Sequence, residues 1–319
     1  MQIYKFHEAE KLVLDFEDIL ARHNIKIEQG SDLEGLCLTT LDLVDKYNNP
    51  SKRDPTIDIR QYFRDIIGLQ DLIAKIVKSS KNPNFEKLIP HVNKLNKSTP
   101  LQNIRTSVLS QDNNKIFELY IACLCINIDS TDIEVDNPDY STGDNPDIIS
   151  NINGKKWGFG CKVIHSQNPL SIVSNIEKAI DQIEKSISDV GLPIINLKNI
   201  IRHNDYWPIL NEQNVKMGEV PEFVAFKYYD IPLQMLINFV VDLFNGIIET
   251  VGRDNLEKLF EGKKSQPACL LYTPTATAIV INDNPVPVSL NVFQLIPLGV
   301  ISEECQIVLE SLNHELQLR

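Results

Sequence analysis

The spacing of apolar residues divides the chain into a helical first third and a mixed remainder. Up to residue 105 the apolar positions recur three and four apart, which predicts helices over 6–23, 33–47, 57–79 and 84–96. Breaks such as Asn48-Asn49-Pro50 and Lys81-Asn82-Pro83 separate these segments. Strand patterns are nearly absent there. We therefore expect a helical N-terminal domain over residues 1–105.

From residue 106 onwards helical and strand patterns alternate. The pattern predicts a helix over 111–126, strands over 131–135, 147–151 and 156–164, and a helix from Asn168-Pro169 to about 190, ended by Gly191 and Pro193. Asn153-Gly154 predicts a tight hairpin, because both turn positions need positive φ. Further strands are expected at 223–228, 268–272 and 277–281, and a helical segment at 200–210. Residues 106–319 thus predict an α/β domain with a helix–three strands–helix–strand core around a mixed sheet.

The longest apolar run, residues 231–251, carries polar residues at helical spacing. This predicts a buried helix with one polar face exposed to solvent, rather than a membrane span. The N-terminus lacks the basic-then-apolar layout of a signal peptide, and the six cysteines form no CxxC pair. We expect reduced core thiols in a cytoplasmic protein without a membrane partner. The polar residues of the run are Gln234, Asn238, Asp242, Asn245 and Glu249.

The net charge of −12 argues against a surface covered with nonspecific nucleic-acid contacts. The charge is unevenly distributed, however. Residues 46–105 contain 12 Lys and Arg against 5 Asp and Glu, a balance of +7, while the flanking segments are acidic. This segment is either a solvated helical surface or a face that contacts phosphates.

The most informative chemistry lies on the predicted hairpin, where Asp147 opens one apolar strand and Lys162 lies inside the next. Side chains two apart on a strand share a face, so Lys162 should lie on the face of Gly158 and Gly160, opposite the core face. A lysine within an apolar run is costly unless its charge is paired, and Asp147 is the natural partner. The alternative is an ordinary cross-strand ion pair. The expected core face consists of Trp157, Phe159, Cys161 and Val163.

Asp147 and Lys162, with Glu118 on the preceding helix and the predicted element order, resemble the PD-(D/E)xK nuclease core, the restriction-endonuclease-like fold. The resemblance implies phosphodiester hydrolysis of DNA, or of RNA, with Mg²⁺ or Mn²⁺, in a restriction-like or anti-phage defence role. It implies Asp147 as central metal ligand, Glu118 as auxiliary ligand, the Cys161 carbonyl as a further ligand, and Lys162 as the group that positions the attacking water.

Gly160 departs from the family pattern, because the family has a second acidic residue there. Three explanations stay open. The carboxylate has moved to Glu177 on the following helix (or, as a weaker candidate, to Asp144); the site is degenerate, leaving a subunit that binds nucleic acid or a protein partner; or the glycine silences an active enzyme. In the second case the apolar segments 290–298 and 301–312 would serve oligomerisation or docking.

Four further residues are candidate nucleic-acid contacts around this site. His165 follows Lys162 by three positions, Gln182 lies on the following helix, and Lys155 and Lys156 flank the hairpin turn. Each also has an ordinary structural interpretation. Walker, GxGxxG, HExxH and GxSxG motifs are absent from the sequence, which argues against P-loop, dinucleotide-binding, zinc-protease and serine-hydrolase chemistry.

Overall fold

The computed structural model describes residues 6–52, 60–106, 111–128, 130–140, 145–211 and 222–318. Its centre is a six-stranded sheet in the order β1-β2-β3-β4-β7-β8. The strands are β1 (Asp132–Val135), β2 (Ile148–Ile152), β3 (Lys155–Val163), β4 (Val190–Asn196), β5 (Ile209–Asn211), β6 (Glu222–Val224), β7 (Ala268–Ile281) and β8 (Asn284–Pro297). The short β5 and β6 form a separate two-stranded sheet.

Helices cover both faces of this sheet. They are α1 (Phe6–Arg22), α2 (Asp32–Asn48), α3 (Arg60–Ser79), α4 (Ile89–Asn93), α5 (Gln111–Asn127), α6 (Pro169–Lys185), α7 (Asp230–Val251), α8 (Arg253–Lys258) and α9 (Glu303–Gln317). The predicted helix over 57–79 starts at Arg60 in the described part, and residues 57–59 lie outside it. The predicted helix over 84–96 is instead a chain of 3₁₀ turns on either side of the short α4. Pro90 lies within this range and cannot donate the backbone hydrogen bond that a continuous helix needs.

The strand directions confirm an α/β protein with a mixed sheet. Neighbours β1–β2, β2–β3 and β7–β8 are antiparallel, whereas β3–β4 and β4–β7 are parallel. The order α5-β1-β2-β3-α6 is the predicted succession of helix, three strands and helix, and the strand that follows it is β4 rather than the predicted strand at 223–228. The hairpin is also confirmed: Ile152 pairs with Lys155, and Asn153 and Gly154 have φ of 52° and 78°.

The strand that completes this succession was predicted wrongly. The helix after Asn168 ends at Lys185, and Gly191 and Pro193 lie inside β4 rather than ending a helix. A central parallel strand is buried on both faces and forms a short apolar run without alternation, so β4 lacks the usual strand pattern. Gly191 also fits no side chain, because a Cβ there would lie 2.6 Å from the Gly158 carbonyl oxygen.

The C-terminal part differs from the prediction in a similar way. The two strands expected at 268–272 and 277–281 are one continuous strand, β7, which turns at Asn282-Asp283 into the unpredicted β8. The expected strand at 223–228 is only the short β6, and 200–210 contains one 3₁₀ turn (His203–Asp205) followed by β5. The segments 290–298 and 301–312 contribute to β8 and α9, and their apolar residues Leu290 and Leu312 are buried within the chain.

Helix α7 has the predicted polar face exposed to solvent. Its five predicted polar positions are all exposed, while Leu236, Val240 and Phe244 are buried against the sheet. Among the described helices, α7 alone is long and apolar enough to cross a membrane by length and composition. All six cysteines are free and buried, as expected for core thiols.

The N-terminal helices and the sheet share one hydrophobic core. Phe16 of α1 and Ile73 of α3 belong to the same buried cluster as Tyr120 of α5 and Trp157 of β3. A second cluster on the other face of the sheet joins α6 and α7 to β4 and β7. The domain boundary between residues 105 and 106 stays a prediction, but the helices before it pack directly on the elements after it.

Lys75 ties α3 to the end of α9. Its side chain is 0% exposed, and its Nζ donates to the carbonyl oxygens of Glu315 (2.6 Å), Leu316 (3.2 Å) and Leu318. These carbonyls belong to the last helical turn or follow it, where a helix has few backbone donors of its own for its carbonyl oxygens. The buried ammonium therefore caps α9.

Replacing Lys75 with Met should destabilise the protein by about 1–3 kcal/mol, because three carbonyl oxygens at the end of α9 lose their hydrogen bonds from the ammonium. Urea unfolding measures the change in the free energy of unfolding. Lys81→Met is the matched control, since this lysine is exposed in the turn just after the same helix. Equal stability of Lys75→Met and Lys81→Met would contradict the capping role.

Candidate functional site

Asp147 and Lys162 are in contact at the open end of the β2–β3 hairpin. The last paired residues of the ladder are Ile148 and Phe159, and Asp147 lies just beyond them. Its Oδ2 accepts a hydrogen bond from the backbone N–H of Cys161 (2.6 Å) and lies 3.1 Å from the Lys162 Nζ. The carboxylate thus replaces a backbone acceptor where the two strands separate. The predicted contact between the two side chains is present.

Three oxygen atoms surround the Lys162 ammonium. They are the Asp147 Oδ2, the Cys161 carbonyl oxygen at 3.0 Å and the Gln182 Oε1 at 2.5 Å. Gln182 comes from α6, so the lysine joins the sheet to the helix on that face. The exposed fraction is 15% for the Lys162 side chain and 6% for that of Asp147. The pair is therefore mostly buried rather than an ordinary surface ion pair.

Glu118 reaches the same place from α5. It is buried, and its Oε2 accepts from Lys115 Nζ (2.8 Å) and lies 3.2 Å from His91 Nε2. The carboxyl groups of Glu118 and Asp147 also lie near enough for each to affect the pKa of the other. An exposed helix glutamate, the alternative interpretation, is therefore excluded. Two carboxylates and two lysines meet at the end of the hairpin.

His91 and Lys115 were missed by the sequence reasoning. Lys115 precedes Glu118 by three positions on a predicted helix, a spacing at which side chains meet, so it could have been found. His91 lies in an irregular segment far away in sequence and gave no signal. A neutral His91 can donate from Nε2 to Glu118, which leaves its buried Nδ1 without a hydrogen-bond partner in the described residues.

The electrostatics of the site favour protonation of its acids. Burial and the charge of Glu118 raise the pKa of Asp147 to about 6, against the opposing charges of Lys162 and Lys115. Burial also raises the pKa of Glu118, and Lys115 opposes it. The pKa of His91 falls to about 4, first because of burial and then because of the Lys115 charge. Such shifts cluster at functional sites, although structural ion-pair networks also produce them.

Gly160 is required by packing. A Cβ at this position would lie 2.8 Å from the Ala179 Cβ and 2.9 Å from the Ala179 carbonyl oxygen, so α6 lies directly against the strand. Gly160 and Gly158 therefore face a helix, and both faces of β3 are buried. An acidic side chain at 160 would force α6 to move. The structure disfavours the explanation that a change at this one position silences an active enzyme.

The relocated-acid explanation fails for Glu177. This residue is exposed on α6. It precedes Ala179 by two positions, which places it about 200° around the helix from the face that contacts β3. The expectation that Glu177 leans towards the sheet is wrong, and Gln182 is the α6 residue that reaches Lys162. Asp144 lies outside the described residues.

The remaining candidates lie further from the pair. His165 follows β3 and is half-buried. Its Nδ1 lies 3.0 Å from the Asn199 Nδ2. Lys155 and Lys156 are exposed at the turn end of β3, roughly 20 Å along the strand from Lys162. They cannot contact the same phosphate as Lys162. Lys155 also forms an ion pair with Glu304.

The positive charge of the basic segment 46–105 is largely neutralised by ion pairs with carboxylates elsewhere in the chain. Most of its described lysines pair with carboxylates of the acidic flanking segments, which favours the interpretation as a solvated helical surface. The pairs are Lys46–Asp42, Lys52–Asp45, Lys78–Glu315, Lys87–Asp132, Lys94–Asp139 and Lys97–Glu28.

A cavity of about 340 Å³ adjoins the site. Asn145 and Pro146, the residues before Asp147, line it together with Asp136 and Ser186. The Asp136 N–H donates to the Asp147 carbonyl oxygen (3.0 Å), so the cavity wall is continuous with the hairpin end. Across the described ranges, no three or more His, Cys, Asp or Glu side chains are grouped to hold a metal ion.

Gly160→Ala should destabilise the protein by about 1–3 kcal/mol, because the new methyl group overpacks the contact between β3 and α6. Gly246→Ala is the matched control: nothing lies within 4 Å of a Cβ there, and Ala should stabilise α7 by about 0.5–1 kcal/mol. Urea unfolding compares both with the wild type. A neutral Gly160→Ala would show that α6 does not require glycine at this position.

Asp147→Asn should change how stability depends on pH. The folded pKa of Asp147 is about 6 against 3.8 for the ordinary group, so its contribution to stability is present at low pH and lost as pH rises through about 4 to 6. Asn cannot ionise, so the variant should gain on the order of 1–3 kcal/mol over the wild type between pH 4 and 7.5. Urea unfolding in EDTA measures this gain.

Asp132→Asn is the control with the opposite sign. Its hydrogen bond with Lys87 lowers the pKa of this exposed carboxyl, so the stability it contributes is lost as pH falls. Parallel pH profiles for Asp147→Asn and the wild type would contradict the assigned pKa shift.

Searches against protein-family models, curated proteins and solved structures gave no match. The resemblance to the PD-(D/E)xK nucleases therefore stays a prediction from the sequence, and function is argued below from the site itself.

Proposed function

We propose that this protein is a metal-dependent phosphodiesterase of the PD-(D/E)xK type that acts on DNA or RNA. The observation that carries the proposal is the meeting of Asp147, Glu118 and Lys162 at the end of the β2–β3 hairpin. The element order α5-β1-β2-β3-α6-β4, with β4 parallel to β3, supports it.

The donor atoms at the hairpin end suit Mg²⁺ or Mn²⁺. Mg²⁺ prefers hard oxygen ligands, and the site offers the carboxylates of Asp147 and Glu118, the Cys161 carbonyl and the Gln182 amide oxygen. Burial is the first cause of the raised pKa of both acids, and a bound divalent cation would stabilise their charged forms. When bound, the ion would polarise a phosphoryl oxygen and lower the pKa of a water molecule.

The side chains around the carboxylates hold them in place. The Cys161 N–H fixes the Asp147 Oδ2, while Lys115 and His91 fix Glu118. Gln182 holds the Lys162 ammonium beside Asp147, where it can orient a water molecule and balance charge that develops on a phosphate. Such preorganised groups need little rearrangement during a reaction.

A nuclease-fold subunit that binds without cleaving is the second candidate. It is favoured by the contact between Gly160 and Ala179, which leaves no room for the family's second acid. Lys115 already balances Glu118, and Lys162 already balances Asp147. In this case the buried ions would serve the architecture of the hairpin end.

Cleavage of single-stranded DNA, plasmid DNA and RNA with Mn²⁺ or Mg²⁺ tests the proposal. Asp147→Asn and Lys162→Met should each lower the rate by about 10²–10³-fold, because each removes a charge aimed at the reacting group. Glu177→Gln, on the solvent face of α6, and Lys156→Ala, at the turn, should cleave like the wild type.

Activity that is equal in Asp147→Asn and the wild type would contradict the assigned site. Absence of cleavage for all substrates, together with absence of Mn²⁺ binding by calorimetry, would leave the binding subunit as the function. Circular dichroism confirms that each variant is folded.

A further inference from the structure

A second polar cluster lies at the C-terminal ends of β3 and β4. These strands are parallel, so the residues that follow them, His165 and Asn199, meet at one edge of the sheet. Asn199 Oδ1 also accepts from the Thr106 N–H at 2.7 Å, which joins this edge to the segment before α5. Open α/β sheets bind ligands at the carboxyl ends of their strands.

Lys198 is the unusual member of this edge. Its side chain is 0% exposed, and its Nζ donates to the Leu101 carbonyl oxygen at 3.1 Å. No carboxylate in the described residues forms an ion pair with it, and burial lowers its pKa to about 7. Lys75, buried to the same extent, donates to three carbonyls. An ammonium carries three donors, so Lys198 is under-satisfied where Lys75 is not.

Other donors around the segment 198–207 and the residues packed on it also lack acceptors. The Arg64 Nε, Gln102 Nε2 and Trp207 Nε1 are buried without a hydrogen-bond partner in the part of the chain that the structure describes. Gln102 follows the carbonyl that Lys198 contacts, and Arg64 Nη1 bonds Asn204 in the turn before Trp207. The Asn103 amide, which donates to the Arg64 carbonyl, leaves one buried acceptor unpaired, its Oδ1. Since buried polar groups are normally satisfied, the excess of spare donors over this one acceptor indicates a missing acceptor.

The cluster is positively charged, and an anion would therefore match both its charge and its unpaired donors. The charges of Arg64, Lys198 and Arg105 all contribute to lowering the pKa of His203 to about 4, after burial. Burial lowers the pKa of the Arg64 guanidinium, and it outweighs the charge of Asp65, which raises that pKa. Arg105 is exposed and Arg64 is half-buried, so the cluster extends from the surface to the buried Lys198.

We propose that this cluster, centred on Lys198 with Arg64 and Arg105, is a binding site for a phosphate group. A phosphate offers several strong acceptor oxygens and negative charge, which together match the spare donors and the positive charges. The group would be a free phosphate or a terminal phosphate of a nucleic acid. The site lies roughly 10 Å from Lys162 in the direction of β3. Phosphate binding there does not depend on the proposed hydrolysis.

Thermal unfolding with inorganic phosphate, against chloride at equal ionic strength, tests the proposal. Wild-type Tm should rise by roughly 5 °C at about 100 times the dissociation constant. Lys198→Met, which keeps the volume but removes the charge, should unfold at a higher temperature than the wild type without phosphate and should lose the phosphate-dependent rise. Lys75→Met should unfold at a lower temperature and keep the rise.

Two results would overturn the site: a wild type that does not respond to phosphate, or a Lys198→Met variant that responds fully. A structural lysine would instead make Lys198→Met less stable with an unchanged response. Should Lys198→Met fail to fold, Arg105→Gln decides, because this exposed change leaves the core intact and should reduce the phosphate-dependent rise. An unchanged rise in Arg105→Gln would then overturn the proposal.

Fluorescence anisotropy with labelled oligonucleotides in EDTA separates the two sources of phosphate. Tighter binding of a 5′-phosphorylated than of a 5′-hydroxyl strand, lost in Lys198→Met, identifies a nucleic-acid end. Equal binding of the two strands, with the Tm response to inorganic phosphate retained, identifies a free phosphate. Since EDTA removes the metal ions, failure of hydrolysis cannot be mistaken for failure of this site.

Discussion

The close contact between α6 and the sheet determines the rest of the hairpin end. Three glycines, Gly158, Gly160 and Gly191, leave room for Ala179 and Ile183 of the helix. Because the helix lies so near, Gln182 reaches the Lys162 ammonium, and the middle of β3, residues 157–161, is buried on both faces. The same contact excludes a side chain at position 160. One packing constraint therefore supplies a partner for Lys162 and removes a ligand.

Asp147 connects the two faces of the sheet. It lies past the last pair of the β2–β3 ladder, so its carboxylate occupies the gap between the strands. From there it contacts Lys162, which α6 holds, and Glu118, which α5 carries. Buried charges are tolerated only when they are paired and hydrogen-bonded, and each of these charges has such a partner. The arrangement suits either a metal centre or a rigid structural network.

The sequence predicted the hairpin end better than the elements around it. Asn153-Gly154 defines its turn through local backbone geometry, and the Asp147–Lys162 contact follows from the register of that turn. By contrast, β4 was hidden because Gly191 and Pro193 look like helix terminators until the neighbouring strands are known. The role of Gly160 depends on how near α6 lies, and His91 meets Glu118 only through tertiary packing. Neither leaves a local pattern in the sequence.

The Lys75 cap has a consequence for the order of folding. The three carbonyls that it contacts belong to residues about 240 positions later in the chain, so α3 is synthesised long before its ammonium can find acceptors. Until α9 docks, burial of that amine is unfavourable, which disfavours the final packing of α3 on its neighbours. Maturation of the first third of this molecule thus depends on the docking of α9.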